Sequence, residues 1–544
     1  MKSHLITSCV IGASLLLTGC LNETPKGLLS EEDAYDNAVN LYINSVATLY
    51  NYIGGHEDSQ GLQGTFRGVY DYNTFTTDEA IIPTRGGDWY DGEYWQNLYQ
   101  HEWTDDDEEL YNTWKYLFKV VVLSNNSLAY LDKYKHLLSE QQYRACRAEV
   151  RGIRALYYFY LIDMFGNIPL VVSNEQPINE VKQSSRSNTF KFIVKELQEI
   201  EPDLADVHSN KKGDYYGRIT RSVAYFLLAK LMLNAEVYAD DNWTDGKRPD
   251  GKSLFFEVHG KKMNAWEACA AWVDLIRQDD YWLSTNYEEN FSVNNENSSE
   301  NIFVIPMDKL QYQNYFCNKF RSFHYNHASA LGVGGENGAC ATVSTVRKFG
   351  YGTDKVDPRY ALNFYSDTIR VNNANVLLDN GTPLVYYPLE VKLNLTGSKY
   401  EKTAGARMAK YEVDRTSYTD GRLQANDIVL FRYADALLMK AEANYRNGDD
   451  GYQYLSVVCF RSHAKAIDKS ATQEEILSFI LDERLRELMW EGWRRQDLIR
   501  YDLFHRAYDQ RTPTWEEETR FTTVFPIPKR VLDLNRNLIQ NPGY

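Results

Sequence analysis

The chain has 544 residues, with 59 Lys and Arg against 75 Asp and Glu and a formal net charge of −16. Acidic clusters such as Asp105-Asp106-Asp107-Glu108-Glu109 oppose binding to nucleic acid phosphates or anionic lipid and favour neutral or cationic partners. The length supports a large core in two or three lobes, and seven cysteines without a C-x-x-C argue against a disulfide scaffold and a finger-type zinc site.

At the N-terminus, Lys2 precedes an apolar run from Leu5 to Leu17, shorter than the ~20 residues that span a bilayer. The residues that follow, Leu17-Thr18-Gly19-Cys20, resemble a bacterial lipobox, with cleavage before Cys20 and acylation of its thiol. Residues 1–19 then form a signal peptide and 20–30 a lipidated tether, the only contact with a membrane. An ordinary secretory signal or a short anchor helix is the alternative, although no A-x-A-like triplet lies near Gly19.

Residues 31–280 read as an N-terminal helical part. Ala34, Ala38, Leu41, Val46 and Leu49 recur at helical spacing within 31–52, and similar patterns mark 108–133, 139–164, 188–200, 219–239 and 264–278. Between 281 and 425 Asn, Gly, Ser and Tyr become frequent, which predicts a loop-rich lobe with short strands such as 301–306. Helical patterns return in a C-terminal part, 426–544, at 427–447, 451–464, 473–490 and 493–505. The fold class is mainly α, with helices in consecutive pairs but no strict 34-residue repeat.

The ligand loop is expected near 77–95. In TDEAIIPTRGGDWY, residues 77–90, two glycines and a proline predict an exposed, shaped turn. Trp89 and Tyr90 would offer ring faces, Arg85 a donor fork, and Asp78 and Asp88 acceptors, which suits a sugar ring with one apolar face and hydroxyls at its edge. Trp95, Tyr99 and Trp103 follow helical spacing and read as core. Glu483, Glu487 and Glu491 recur every four residues among arginines, a structural ion-pair network rather than a catalytic carboxylate pair. His324 and His327 lack a third metal ligand. No hydrolase, P-loop or dinucleotide motif is present, so neither catalysis nor a cofactor is expected. Cys317 and Cys340 are either a pair or two buried thiols.

Four separated segments point to one family: the lipobox with its tether; FRYADALLMKAEA at 431–443; ERLRELMWEGWRRQDLIR at 483–500; and FPIP at 525–528 followed by QNPGY at 540–544. Together with NSSENIF at 297–303 they resemble the SusD/RagB family of outer-membrane nutrient-binding lipoproteins of Bacteroidetes-type bacteria. The resemblance implies tetratricopeptide-like helix pairs supporting a loop-rich ligand face. It also implies capture of glycan at the cell exterior and delivery to a TonB-dependent SusC-like transporter, with a peptide ligand of the RagB type as the alternative and a surface glycosidase as a weaker one. It places a second candidate surface near Tyr312, Asn314, Tyr315 and Glu336-Asn337-Gly338. The chain departs from the family at 458–464, VCFRSHA, and at Arg495.

Overall fold

The computed structural model describes residues 31–55, 60–63, 66–278, 280–310, 318–417 and 424–544. Cys20, Tyr312, Asn314, Tyr315 and Cys317 lie outside the described residues.

Most expected helices form close to their predicted bounds. Glu108–Lys133 packs against Glu140–Phe165, Arg221–Leu233 against Ala265–Gln278, and Tyr433–Asn447 against Tyr452–Arg461 and Gln473–Leu488. Local chemistry sets the starts: Ser139 and Gln142 form a capping box, as do Thr472 and Glu475, each pair satisfying backbone N–H groups that a helix end leaves open. Three expectations need correction. The 31–52 pattern is broken, because the Asn37 side chain accepts from the Val39 and Asn40 N–H groups and restarts the helix at Ala38–Tyr42; Leu41, Val46 and Leu49 are nonetheless buried. The 219–239 segment divides at Asn234. The first residues of 427–447 are a strand, Ile428–Arg432, paired antiparallel with Asn301–Ile305. Both strands are buried throughout, so their apolar residues do not alternate, and Phe431 stacks on Phe226 with centroids 4.4 Å apart.

Helix Glu108–Lys133 runs between two parts of the surface. Near its start Arg67 bridges Glu109 at 3.2 Å and Asp91 at 2.9 Å. At its far end Lys133 holds Glu31 at 2.5 Å, and Tyr35 stacks on Tyr130 and Tyr134 with centroids 4.6 and 5.2 Å apart. No helix among the described residues is long and apolar enough to cross a membrane.

The glutamates of 483–491 are interior. Glu487 meets Arg359 at 2.8 Å, Arg432 at 2.6 Å and also Arg461, while Arg432 reaches Glu300 at 2.7 Å and Glu491 at 2.8 Å. Burial alone would raise the Glu487 carboxyl, but Arg461, Arg432 and Arg359 outweigh it and hold it far below the usual range. The network ties a loop, a strand and two helices, as the structural reading of these acids expects. Cys146, Cys269, Cys340 and Cys459 are buried free thiols.

Candidate functional site

The loop after Thr77 is nailed to the C-terminal helices before it reaches the surface. Asp78 is buried and receives Arg494 through two bonds of 2.6 and 2.8 Å. Burial opposes its ionisation, but Arg494 prevails and lowers it to about 2. Glu79 accepts the Trp490 backbone N–H at 2.5 Å. Ala80–Ile81 then pairs with Cys340–Ala341.

Among the described residues no cation is bonded to Glu79, and burial pushes its carboxyl up to about 8 from an ordinary 4.5. Between those values the folded chain holds a proton that the unfolded chain has released. The stability from this group is therefore full below 4.5 and drains away as pH rises to about 8, by roughly 5 kcal/mol in all. Glu79→Gln keeps the acceptor and stays neutral. Urea midpoints at pH 5, 7 and 8.5 should show the variant gaining on the parent chain as pH rises; parallel curves would contradict it.

Three expected site residues need correction, two on this loop and Asn337 on the second candidate surface. Asp78, Arg85 and Asn337 do not reach the surface; Arg85 and Asn337 are 0 % exposed. Arg85 spends its fork on the Gly338, Glu401 and Ala404 carbonyls at 3.3, 3.1 and 2.9 Å, and burial followed by the neighbouring Arg407 lowers its pKa to about 9. A charged side chain that finds internal acceptors is drawn inward, which loop composition does not reveal. At the tip, Arg85 and Asp88 close a two-glycine turn. Gly86, at φ 72°, lies so near Glu401 that a Cβ would sit 2.4 Å from Oε1.

Trp89 is a wedge. Its indole N–H donates to the Glu336 carbonyl at 2.9 Å, and its ring covers Gly338, where a Cβ would come within 2.5 Å. Trp95 meets it edge-on with centroids 5.8 Å apart. Trp89, Asp91, Gly92 and Glu93 all have positive φ, a concentration of strain that packing must hold in place. Trp95, Tyr99 and Trp103 are buried as expected, with Trp103 beyond the end of helix Tyr94–Gln100. Tyr90 is 50 % exposed.

Asp88 connects the loop to an open cleft of about 710 Å³. Its Oδ2 accepts the Tyr325 hydroxyl at 2.8 Å and Lys402 Nζ at 2.7 Å. Tyr325 and Lys402 line the cleft with His324, Asn326, Leu377 and Asp379. Asn326 donates to Asp379 Oδ1 at 3.0 Å and to the Leu377 carbonyl at 3.0 Å. Burial, then Arg407 and Arg85, lower His324 to about 4, so the ring is neutral at pH 7. His327 is buried against the Tyr386 hydroxyl at 3.1 Å and does not line the cleft.

An exposed tyrosine ring, Tyr325 at 45 %, beside amide, ammonium and carboxylate groups is suited to hold a polar ligand with an apolar face. Sequence reasoning missed Tyr325, Asn326, Asp379 and Lys402, which come from three segments that only the fold joins.

The cleft is lined by the helix Tyr325–Leu331, the segment 375–379 and Lys402, set on a mainly helical fold. The chain belongs to the SusD family, whose model matches residues 277–544; a second SusD-like model, described as starch-binding and associating with the outer membrane, matches residues 35–233. It is 24 % identical over 522 residues to the starch-binding protein SusD of Bacteroides thetaiotaomicron, covering 89 % of this chain and 87 % of that one. A laminarin-binding SusD-like protein superposes with TM-score 0.70 at 21 % identity, over 93 % of this chain and 100 % of the other. The surface glycan-binding protein A of Bacteroides thetaiotaomicron, solved with laminarihexaose, gives 0.68 at 18 %, over 93 % and 99 %.

Proposed function

We propose that this chain is a non-catalytic glycan-binding protein, lipid-anchored through Cys20 at the outer face of the outer membrane, that captures oligo- or polysaccharide and passes it to a TonB-dependent SusC-like transporter. The open cleft carries this reading: Tyr325 supplies a ring face, Asp88, Asn326 and Lys402 supply polar groups beside it, and Tyr90 stands exposed on the adjoining loop. Family membership and the names of the relatives, starch-binding and laminarin-binding, agree with it. Trp89, by contrast, serves in holding the loop's shape while leaving part of its ring for contact.

The test is affinity electrophoresis through gels containing neutral or acidic polysaccharides, starch and laminarin among them. At least one should retard the protein. Tyr325→Ala should weaken that retardation about tenfold, the effect of one lost ring contact and its hydroxyl, with the melting temperature nearly unchanged because the ring is half outside. Retardation by no polysaccharide, or retardation untouched by Tyr325→Ala and Tyr90→Ala together, would refute the reading.

A further inference from the structure

Beneath the cleft lie two guanidinium groups that, among the described residues, no carboxylate neutralises by an ion pair. Arg85 bonds the Gly338, Glu401 and Ala404 carbonyls. Arg407, also 0 % exposed, reaches the carbonyls of Ala339 and Lys402 at 3.3 Å each, and lies 4.9 Å from the centre of the Tyr386 ring. Both therefore sit under the turn that presents Lys402 to the cleft. Charges in the interior act through a low dielectric, whereas the rim carboxylates Asp88 and Asp379 face water, which screens them. Asp88 is moreover already paired with Lys402, and Asp379 is bonded to Asn326. The wall of the cleft is thus more positive than its rim, in a chain whose net charge is −16.

His324 occupies that wall. Its Nδ1 accepts the Asn326 backbone N–H at 3.2 Å, capping helix Tyr325–Leu331. In a neutral ring the proton is then on Nε2. Among the described residues that Nε2–H has no hydrogen-bond partner, and the ring lines the cleft. A donor of fixed tautomer, set above two buried cations, calls for an acceptor bearing negative charge.

We propose that the cleft receives an acidic sugar unit of the glycan, a uronate, with its carboxylate accepting from His324 Nε2–H over Arg85 and Arg407 and the sugar ring against Tyr325. This deepens the glycan-binding reading above and rests on it. Lys402 keeps a further N–H for the same ligand, since two of its three are given to Asp88 and the Arg85 carbonyl.

Calorimetric titration with oligogalacturonate, oligomannuronate and glucuronoxylan oligosaccharides tests this, each beside its carboxyl-reduced neutral form. At least one acidic form should bind about tenfold more tightly than its reduced partner, as a charge-assisted hydrogen bond implies. His324→Ala, and independently Lys402→Met, should bring that ratio toward one; the second variant keeps the test decisive if the first fails to fold. Equal or tighter binding of the reduced forms, or binding confined to starch and laminarin, overturns the acidic-unit proposal and leaves glycan binding standing. Binding of no glycan overturns both.

Discussion

Glu487→Ala should unfold the protein or nearly so. The substitution strips Arg359, Arg432 and Arg461 of a common carboxylate while all three stay inside. Breaking a buried ion pair costs about 3–5 kcal/mol, and here three arginines lose a shared partner at once, although Arg359 keeps Glu483 and Asp357, Arg432 keeps Glu300 and Glu491, and Arg461 keeps Glu300. A whole domain holds only about 5–15 kcal/mol. Thermal melting followed by circular dichroism should show a transition lowered by many degrees or soluble protein lost altogether. A melting temperature within a degree or two of the parent would mean that the network is ornamental.

The second large effect is expected from Asp78→Asn, which leaves the Arg494 guanidinium buried against a neutral amide. Again about 3–5 kcal/mol is at stake, but the consequence falls on the ligand loop, since Asp78 and Glu79 are the residues that fasten it to the C-terminal helices. Both stability and polysaccharide retardation should fall. Arg494→Gln added to Asp78→Asn should recover part of the stability, because the unpaired charge is then gone; a double variant no better than the single one would show that the ion pair is not the source of the loss. Acid tests the same bond by another route. The Asp78 carboxyl titrates at about 2 when folded and at 3.8 ordinarily, so its contribution is present above 3.8 and disappears as pH falls through 2.

The scaffold was legible in the sequence because its signals are local. Helices at 108–133 and 139–164 announce themselves by apolar spacing, and the second also by Ser139 and Gln142 three residues apart. Ile428–Arg432 was absorbed into a helix because a strand buried on both faces has no alternation, and nothing local separates it from the helix it feeds. The site was only half legible. A turn with two glycines does project Asp88 and Tyr90 outward, but the same composition gave no hint that Asp78 would find Arg494 more than four hundred positions later. Lys402 and Tyr325 carry no motif at all; they matter because a fold built from distant segments sets both against Asp88. The His324 and His327 pair reads in the sequence as surface or hydrogen-bonding residues rather than metal ligands, and the structure separates the two, one lining the cleft and the other inside against Tyr386.

The long helix Glu108–Lys133 has a further consequence. Its 26 residues, at 1.5 Å each, make a rod of about 39 Å, with the loop that carries Asp91 bonded near one tip through Arg67 and Glu31 clasped at the other by Lys133. Backbone hydrogen bonds, not side-chain fit, determine that span. The loop bonded through Arg67 and the Glu31 contact are therefore held at a constant separation, as a boom fixes the distance between hook and mast.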